Sequence, residues 1–183
     1  MRKNRIEVCR CSGDPDQIED PEQRIEQAGQ DRAADEKDET EKAAQLIARL
    51  KRLNGEFDPL LKTTDSLEKD ALKAVEKAVT NSDSVVLVAV SGTKFVGVVK
   101  ADIRDRTFYE PRIEGAIVEF YILPEFRRGN LGKDLLSAIT ERLKKKGAEL
   151  ITAEFPSQNE IAKRFYTKLG FRSLTNVYAK AES

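Results

Sequence analysis

A strand, a turn rich in glycine and arginine, and a long helix follow one another between residues 115 and 143, and they constrain the fold more than any other stretch. Residues 115–123 are rich in Ile, Val, Phe and Tyr, which favour a β-strand, and Pro124 lacks the N–H that a sheet requires. Leucine and isoleucine recur at three- and four-residue spacing over residues 131–143, which predicts a helix. With a further strand predicted at 150–155, the unit predicts a parallel strand pair joined by a right-handed crossover.

The turn at residues 127–133 has the properties of an anion-binding site. A helix start offers free backbone N–H groups and the positive end of the helix dipole. Gly129 and Gly132 let a phosphate approach the backbone, and Asn130 is the non-glycine residue that best tolerates a left-handed conformation. Three cations add positive charge: Arg127, Arg128 and Lys133. An ordinary strand-to-helix turn with a solvated basic rim has the same pattern, so the turn alone leaves both interpretations open.

Two familiar phosphate-binding loops do not fit this turn. A P-loop requires Ser or Thr after its Gly-Lys pair, whereas Asp134 follows Lys133. A dinucleotide fingerprint requires G-x-G-x-x-G near the first strand of its unit, and this turn has neither that spacing nor that position.

The second informative segment is residues 157–171. Ser157-x-x-Glu160 predicts a capping box at the start of a short amphipathic helix, and Gly170 predicts its end. A last strand is predicted at 172–179. By itself, this pattern is typical of a helix that packs against a sheet.

Together the two segments resemble the signatures of the GNAT superfamily of acyl-CoA-dependent N-acetyltransferases. Residues 127–132 match its pyrophosphate pattern Q/R-x-x-G-x-G/A at Arg127 and Gly132, with Asn130 where the middle glycine usually stands. Residues 159–171 match the second pattern, N-x-x-A-x-x-x-Y-x-x-x-G-F. The resemblance extends from Lys42 to about residue 179.

The resemblance implies an α/β fold of the α+β mixed-sheet kind, in which helices flank a mostly antiparallel sheet with a splayed parallel strand pair. It implies transfer of an acetyl group from acetyl-CoA to a primary amine by direct attack in a ternary complex. The implied pantetheine contacts are Phe120, Tyr121 and Ile122. The implied pyrophosphate contacts are Arg127, Arg128, Gly129, Asn130, Leu131, Gly132 and Lys133, and Asn159 is implied to contact the coenzyme from the other side of the splay.

Three residues are the catalytic candidates. The resemblance implies Tyr166 as the general acid that reprotonates the leaving thiolate. The chain contains no histidine, so a carboxylate must serve as the general base. Glu154 and Glu119 occupy the two positions that the family uses, and Glu154 is favoured. Protein N-termini, lysines, polyamines, amino acids and aminoglycosides all stay open as acceptors, and the alternative to an enzyme is a non-catalytic acyl-CoA-binding or sensing module.

Charge divides the chain into an N-terminal part, residues 1–41, and a catalytic domain, residues 42–183. Residues 12–41 contain twelve acidic residues and only three basic ones, which predicts an acidic arm, flexible or partly helical. A strand is predicted ahead of it at residues 5–9. The domain is predicted to begin with helices at 43–53 and 65–79 and strands at 85–90 and 95–103.

Composition sets the remaining expectations. The 183 residues contain 32 Lys and Arg against 32 Asp and Glu, so net charge gives no indication of a nucleic-acid partner. Cys9 and Cys11 cannot complete a tetrahedral zinc site in a chain without histidine, so no metal is expected. The lack of a long apolar run predicts a soluble, cytoplasmic protein without a membrane partner. A homodimer is left open.

Overall fold

The computed structural model describes residues 7–11, 35–127 and 129–181. The strands are β1 (Glu7–Cys11), β2 (Ser84–Ser91), β3 (Lys94–Asp105), β4 (Ile113–Ile122) and β5 (Leu150–Ala153). The helices are α1 (Asp35–Phe57), α2 (Leu67–Thr80), α3 (Leu131–Lys145) and α4 (Glu160–Lys168), with single 3₁₀ turns at Pro59–Leu61 and Pro124–Phe126.

The five strands form one mixed sheet in the order β1-β2-β3-β4-β5. The two inner ladders, β2 with β3 and β3 with β4, are antiparallel, whereas β1 with β2 and β4 with β5 are parallel. Residues Glu114–Ile117 of β4 pair with β5, and β4 then continues to Ile122 beyond the end of its neighbour. The expected mixed α/β fold with a splayed parallel pair is therefore confirmed.

Apolar side chains on both faces of the sheet build the core. Helix α3 buries Leu135, Leu136, Ile139 and Leu143. It lies close to β4, because a Cβ on Gly115 would come within 2.9 Å of Leu143. Helix α1 buries one apolar face and meets β4 through Lys51, which contacts Glu119. No helix among the described residues is long and apolar enough to cross a membrane.

The first two helices differ from the prediction at their ends. Helix α1 begins at Asp35, inside the acidic segment, and passes through Asn54-Gly55 to Phe57. A single glycine costs a helix only about 1 kcal/mol, and Gly55 leaves room for the next turn, since its Cβ would lie 3.3 Å from the Leu61 carbonyl oxygen. The predicted strand at residues 5–9 appears as β1 within the described residues 7–11, and residues 12–34 of the arm lie outside the described residues.

Two helix starts were assigned to the wrong residues. Helix α2 begins at Leu67 rather than at residue 65, with Ser66 as its N-cap residue and Glu68 paired with Arg52 of α1. The expected Ser157–Glu160 box is also wrong. The N-cap of α4 is Asn159, whose Oδ1 accepts a hydrogen bond from the Ala162 N–H at 3.0 Å.

The strand predicted at residues 172–179 is wrong for this chain. Residues 171–181 have no regular secondary structure, and the Val177 and Tyr178 side chains are 95% and 92% exposed. The sequence has the composition of a strand, but the described part of the chain provides no strand beside it.

Candidate active site

The turn from β4 into α3 carries the chain from the sheet to the start of a long helix. The Leu123 N–H donates to the Val96 carbonyl at 2.9 Å, and Pro124 then begins a 3₁₀ turn that takes the chain away from the sheet. Helix α3 begins at Leu131, and the Asn130 carbonyl accepts from the N–H groups of Lys133 and Asp134 at 2.8 and 3.0 Å. The N–H groups of Leu131 and Gly132 are those that the start of any helix leaves without an intrahelical acceptor.

The two glycines of this turn have different roles. A Cβ on Gly129 would meet no atom within 4 Å, so this residue borders open space. A Cβ on Gly132 would come within 3.2 Å of the Phe165 ring, so this glycine lets α3 and α4 pack closely. The expected left-handed conformation is wrong, because Asn130 has φ −81° and Gly129 is not among the residues of positive φ.

Arg127 is bound to the end of β4. Its Nε donates to the Ile122 carbonyl at 2.8 Å, and its guanidinium carbon lies 5.5 Å from the centre of the Tyr121 ring. The side chain therefore braces the turn against the strand. Lys133 is exposed on the first turn of α3, and Arg128 lies outside the described residues.

The splay between β4 and β5 exposes one edge of the Phe120–Ile122 segment. These residues pair with β3 on the other side, where Phe120 is opposite Val99 and Ile122 is opposite Gly97. Towards β5 the last backbone contact is the Glu154 N–H, which donates to the Ile117 carbonyl at 2.9 Å. Past that point β5 does not pair with β4, and the Ile122 carbonyl accepts from the Arg127 Nε instead.

Tyr166 of α4 lies in an aromatic cluster beside the splay. It is 5% exposed, and burial raises the pKa of its phenol well above the ordinary value. Four rings surround it, at centroid distances of 6.2 Å from Phe120, 5.4 Å from Phe155, 5.2 Å from Phe165 and 5.2 Å from Phe171. Tyr166 is therefore held in one orientation and stays protonated at neutral pH.

Asn159 is positioned by its capping role at the start of α4. Its Oδ1 accepts from the Ala162 N–H, and this bond fixes the side chain. The amide Nδ2 is a separate donor that the cap does not use. The residue lies six positions after Ala153, the last residue of β5, on the loop that leads away from the splay.

Glu119 is a buried carboxylate on β4, directly before the segment at the splay. Its Oε1 lies 2.6 Å from the Lys51 Nζ, and its side chain is 13% exposed. Its Oε2 is buried and has no hydrogen-bond partner among the described residues. Burial raises the pKa of the Glu119 carboxyl, and the charges of Lys51 and Lys100 oppose that rise.

A polar network on the neighbouring strands holds Lys100 in place beside Glu119. Lys100 is opposite Glu119 in the β3–β4 ladder, and its Nζ donates to Asp102 Oδ2 at 2.7 Å. Asp102 Oδ1 also accepts a hydrogen bond from the Ser84 hydroxyl at 2.7 Å.

Glu154 occupies a different environment. It directly follows β5, its side chain is 54% exposed, and its carboxylate accepts a hydrogen bond from Arg104. That bond is the main reason why the pKa of Arg104 is raised. The two candidate bases therefore differ in solvation, since Glu119 is buried beside Lys51 whereas Glu154 is exposed beside Arg104.

Consecutive residues of β4 connect the two faces of the sheet. Glu119 faces Lys51 of α1, whereas the Phe120 ring contacts Phe165 and Tyr166 of α4 on the other face. Side chains of consecutive residues point to opposite faces of a sheet. At the gap between β4 and β5, the Glu119 carboxylate on one face and the Phe120–Tyr166 aromatic cluster on the other therefore lie beside the same opening.

Two polar residues of α1, Lys51 and Asn54, are not indicated by any sequence motif. They are three positions apart and thus on neighbouring turns of one helix face, and Asn54 Oδ1 is buried without a hydrogen-bond partner among the described residues. Polar residues at this spacing beside the buried Leu50 are a weak signal, because long helices commonly carry such residues on their solvent side.

A comparison with known protein families identifies the family of this chain. Residues 47–171 match the family described as acetyltransferase (GNAT) family. The chain belongs to the GNAT acetyltransferase family. The class of enzyme that the motifs predict, an N-acetyltransferase, is thereby confirmed. Among curated proteins, no sequence matches this chain.

Solved structures with this fold include a transcriptional regulator from Bacillus halodurans, at 20% identity and a TM-score of 0.62, covering 79% of this chain and 94% of that one. An aminoglycoside 6'-N-acetyltransferase from Acinetobacter haemolyticus is 19% identical with a TM-score of 0.62, covering 78% and 90%. The aminoglycoside N-acetyltransferase AAC(6')-Iy in complex with CoA is 17% identical with a TM-score of 0.61, covering 76% and 88%. At these identities the likeness concerns the fold.

Proposed function

We propose that this GNAT protein transfers the acetyl group of acetyl-CoA to a primary amine by direct attack within a ternary complex. The observation that supports this most is the buried Glu119 carboxylate, one oxygen of which finds no hydrogen-bond partner in the described part of the chain, and which lies where β4 separates from β5. An amine that enters the splay would complete the hydrogen bonding of that oxygen. A buried carboxylate without such a ligand would only cost stability.

The coenzyme side of the site fits acetyl-CoA. The Phe120–Ile122 segment, with which β5 does not pair, suits the amide-containing pantetheine arm, which can bind as an additional strand. The start of α3 suits the pyrophosphate, because Gly129 borders open space and Lys133 is an exposed cation. Arg127 supports this loop through the Ile122 carbonyl, and Asn159 offers its Nδ2 from the other side of the splay.

Glu119 is the better candidate for the general base, which reverses the preference for Glu154 that the sequence suggested. Acetyl-CoA supplies the acetyl group as a thioester, and the amine must lose a proton to attack it. The raised pKa of Glu119 brings its proton affinity closer to that task at neutral pH. Glu154 is exposed, and its carboxylate already accepts a hydrogen bond from Arg104.

Tyr166 is proposed as the acid that returns a proton to the departing sulfur. Its ring is fixed by four aromatic neighbours next to Phe120. Burial raises the pKa of the phenol, which weakens it as an acid. The same dry surroundings would also raise the proton affinity of a thiolate formed beside it, so the transfer stays feasible.

The site favours an acceptor that presents a primary ammonium group. Among the described residues, two buried side-chain oxygens lack a hydrogen-bond partner, Glu119 Oε2 on β4 and Asn54 Oδ1 on α1, and both are acceptors. Neither can bind a carboxylate or a phosphate, whereas an ammonium group donates three hydrogen bonds. Small polyamines and aminoglycosides present such groups, and aminoglycoside acetyltransferases are among the proteins that share this fold.

A non-catalytic acyl-CoA-binding module is the second candidate. The observation that favours it is the burial of Tyr166, whose raised pKa makes proton donation harder. Such a module would bind acetyl-CoA at the α3 turn without transferring the acetyl group.

Release of free thiol distinguishes the two functions. Purified protein and acetyl-CoA would be combined with a panel of polyamines, aminoglycosides, lysine peptides and amino acids. An enzyme should release thiol in the presence of one acceptor class, and Glu119→Gln should slow this release by about 10²-fold at pH 7. Stabilisation by acetyl-CoA in a thermal melt, without release for any amine, would support the binding module.

The same thermal melt tests the pyrophosphate site. Equal stabilisation by a pantetheine fragment without the pyrophosphate would overturn the assignment of the α3 turn.

A further inference from the structure

We infer that Asp102 is a positioning residue for the proposed reaction, because it binds the Lys100 ammonium group and so keeps one oxygen of Glu119 open to the acceptor amine. The inference rests on the proposed function, in which Glu119 is the general base. It gives Asp102 a role that acts through Lys100 rather than on the substrates themselves.

Lys100 lies between two carboxylates. It is opposite Glu119 in the β3–β4 ladder, and directly opposite residues have Cβ atoms about 4.5–5.5 Å apart, well within the reach of a lysine side chain. Asp102 is two positions further along β3. The Lys100 Nζ donates to both oxygens of Asp102, at 2.8 Å to Oδ1 and 2.7 Å to Oδ2. The lysine is thus bound to the carboxylate of its own strand.

Asp102 is held in place independently of Lys100. Its Oδ1 also accepts a hydrogen bond from the Ser84 hydroxyl at 2.7 Å, and Ser84 is opposite Asp102 in the β2–β3 ladder and buried. The Ser84 oxygen accepts in turn from the Asn81 Nδ2 at 3.2 Å, and Asn81 is the C-cap residue of α2. Strand β2 and the end of α2 therefore fix the carboxylate that binds Lys100.

This arrangement keeps a second ammonium group away from Glu119. The Lys51 Nζ already lies 2.6 Å from the Glu119 Oε1, whereas Oε2 has no hydrogen-bond partner among the described residues. A Lys100 side chain that turned to Oε2 would fill the position proposed for the acceptor amine. Since Lys100 is only 17% exposed, its ammonium group needs a carboxylate partner, and Asp102 provides one at a distance from the base.

The charges around Glu119 act in the same sense. Lys51 on α1 and Lys100 on β3 both lower the pKa of the Glu119 carboxyl, and Asp102 raises it. Beyond β5, Glu154 is engaged in an ion pair of its own. Asp102 thus offsets the charge of Lys100 as well as binding it, and both effects preserve the proton affinity of the base.

The variant Asp102→Asn tests the inference, because it keeps the shape of the side chain and removes its charge. Lys100 should then turn to Glu119. Carboxyl-carbon NMR of the full-length protein, with the Glu119 signal identified by its absence in Glu119→Gln, should show the Glu119 titration at lower pH than in the wild type. For the amine of the panel above that releases thiol fastest, kcat/KM at pH 7 should fall at least about tenfold, because the base is both weaker and blocked.

Removal of the lysine should reverse this loss. In Asp102→Asn/Lys100→Met no ammonium group remains to block Oε2, so kcat/KM should return to within about threefold of Lys100→Met alone, and the Glu119 titration should move back to higher pH. A purely structural role for Asp102 predicts no recovery in the double variant. The matched control is Asp105→Asn on the same strand, which removes an exposed carboxylate that binds Arg112 at 2.9 Å and should leave kcat/KM unchanged.

A milder variant keeps the test decisive if Asp102→Asn lowers stability. Ser84→Ala retains the Asp102 charge and removes the hydroxyl that fixes it, so both measures should shift in the same direction by less. Wild-type activity in Glu119→Gln would overturn the proposed base and, with it, this role for Asp102. Where Glu119→Gln loses activity, an unchanged Glu119 titration in Asp102→Asn, or a loss that Lys100→Met does not reverse, would overturn the inference alone.

Discussion

The Lys51 Nζ lies 2.6 Å from the Glu119 Oε1, which joins the first helix to the strand that borders the splay. Two opposing effects act on this carboxyl. Burial raises its pKa, and the ammonium group of Lys51 is the largest influence that lowers it. Lys51 therefore determines how far the carboxylate departs from ordinary acidity, and thus the pH range in which Glu119 can accept a proton.

Replacement of Glu119 by Gln should lower kcat/KM by about 10²-fold at pH 7, at the low end for general-base catalysis. The amide keeps the shape of the side chain but cannot take a proton from the amine. The loss should shrink at high pH, where free amine is plentiful. Glu154→Gln is the matched control, and it should change kcat/KM by less than about threefold because this exposed group pairs with Arg104. The reverse pattern would restore Glu154 as the base.

Lys51→Met should shift the acid limb of the kcat/KM profile to higher pH. Loss of the ammonium group removes the main influence that lowers the pKa of Glu119, so the carboxyl holds its proton to a higher pH. Since the base acts in its ionised form, activity should appear at a higher pH than in the wild type. Lys100→Met should shift the limb in the same direction by a smaller amount, because its charge acts on Glu119 less strongly. An unchanged limb in both variants would show that Glu119 does not control the profile.

The sequence predicted an element correctly where the pattern that encodes it lies within the element itself. The apolar spacing of residues 131–143 correctly predicted α3, and Gly147 (φ +91°) directly follows the C-cap residue of that helix. The carboxylates were harder to rank, because Glu119 is buried by contact with α1, whose Lys51 is far away in the sequence. No local pattern encodes that contact.

Competition between local and tertiary partners explains the other errors. Ser157 and Asn159 are both good N-cap residues, and only the backbone geometry shows that the amide oxygen of Asn159 makes the bond. For residues 172–179 the propensity for a strand was correctly recognised, but a strand also needs a neighbour, and propensity does not show where that neighbour is.

Two glycines should separate stability from coenzyme binding. Gly115→Ala places a Cβ 2.9 Å from a fully buried leucine, Leu143, so this variant should lose about 1–3 kcal/mol of unfolding free energy. In Gly129→Val the added Cβ would have no protein atom within 4 Å, so this variant should keep the wild-type free energy of unfolding. It should instead weaken acetyl-CoA binding by about tenfold, or ~1.4 kcal/mol, because its side chain occupies the space proposed for the pyrophosphate. Chemical denaturation and titration calorimetry measure the two effects. Unchanged acetyl-CoA affinity in Gly129→Val would contradict the placement of the phosphates.

Arg127 and Lys133 should differ in how their loss affects the protein. Arg127→Met removes the hydrogen bond from Nε to the Ile122 carbonyl. The free energy of unfolding should therefore fall by about 1 kcal/mol, and the affinity for acetyl-CoA should fall as well. Lys133→Met removes an exposed charge on the first turn of α3. It should leave stability unchanged and weaken acetyl-CoA binding most at low salt, where phosphate attraction is least screened. An unchanged melting temperature in Arg127→Met would show that Arg127 has no bracing role.

Tyr166→Phe separates the enzyme from the binding module. The ring and its four aromatic contacts remain, so stability should change little. The proton for the departing thiolate is lost. A positioned acid contributes about 10²–10⁴-fold, so kcat should fall by roughly that factor while the Kd for acetyl-CoA stays constant. The pH profile gives a further check, because the raised pKa keeps the phenol protonated, and the wild-type rate should show no loss from its ionisation near pH 10. Thiol release measured from pH 6 to 10, with calorimetry for the Kd, tests both expectations. A variant that keeps wild-type kcat across that range would remove Tyr166 as the acid and leave the thiolate to take its proton from water.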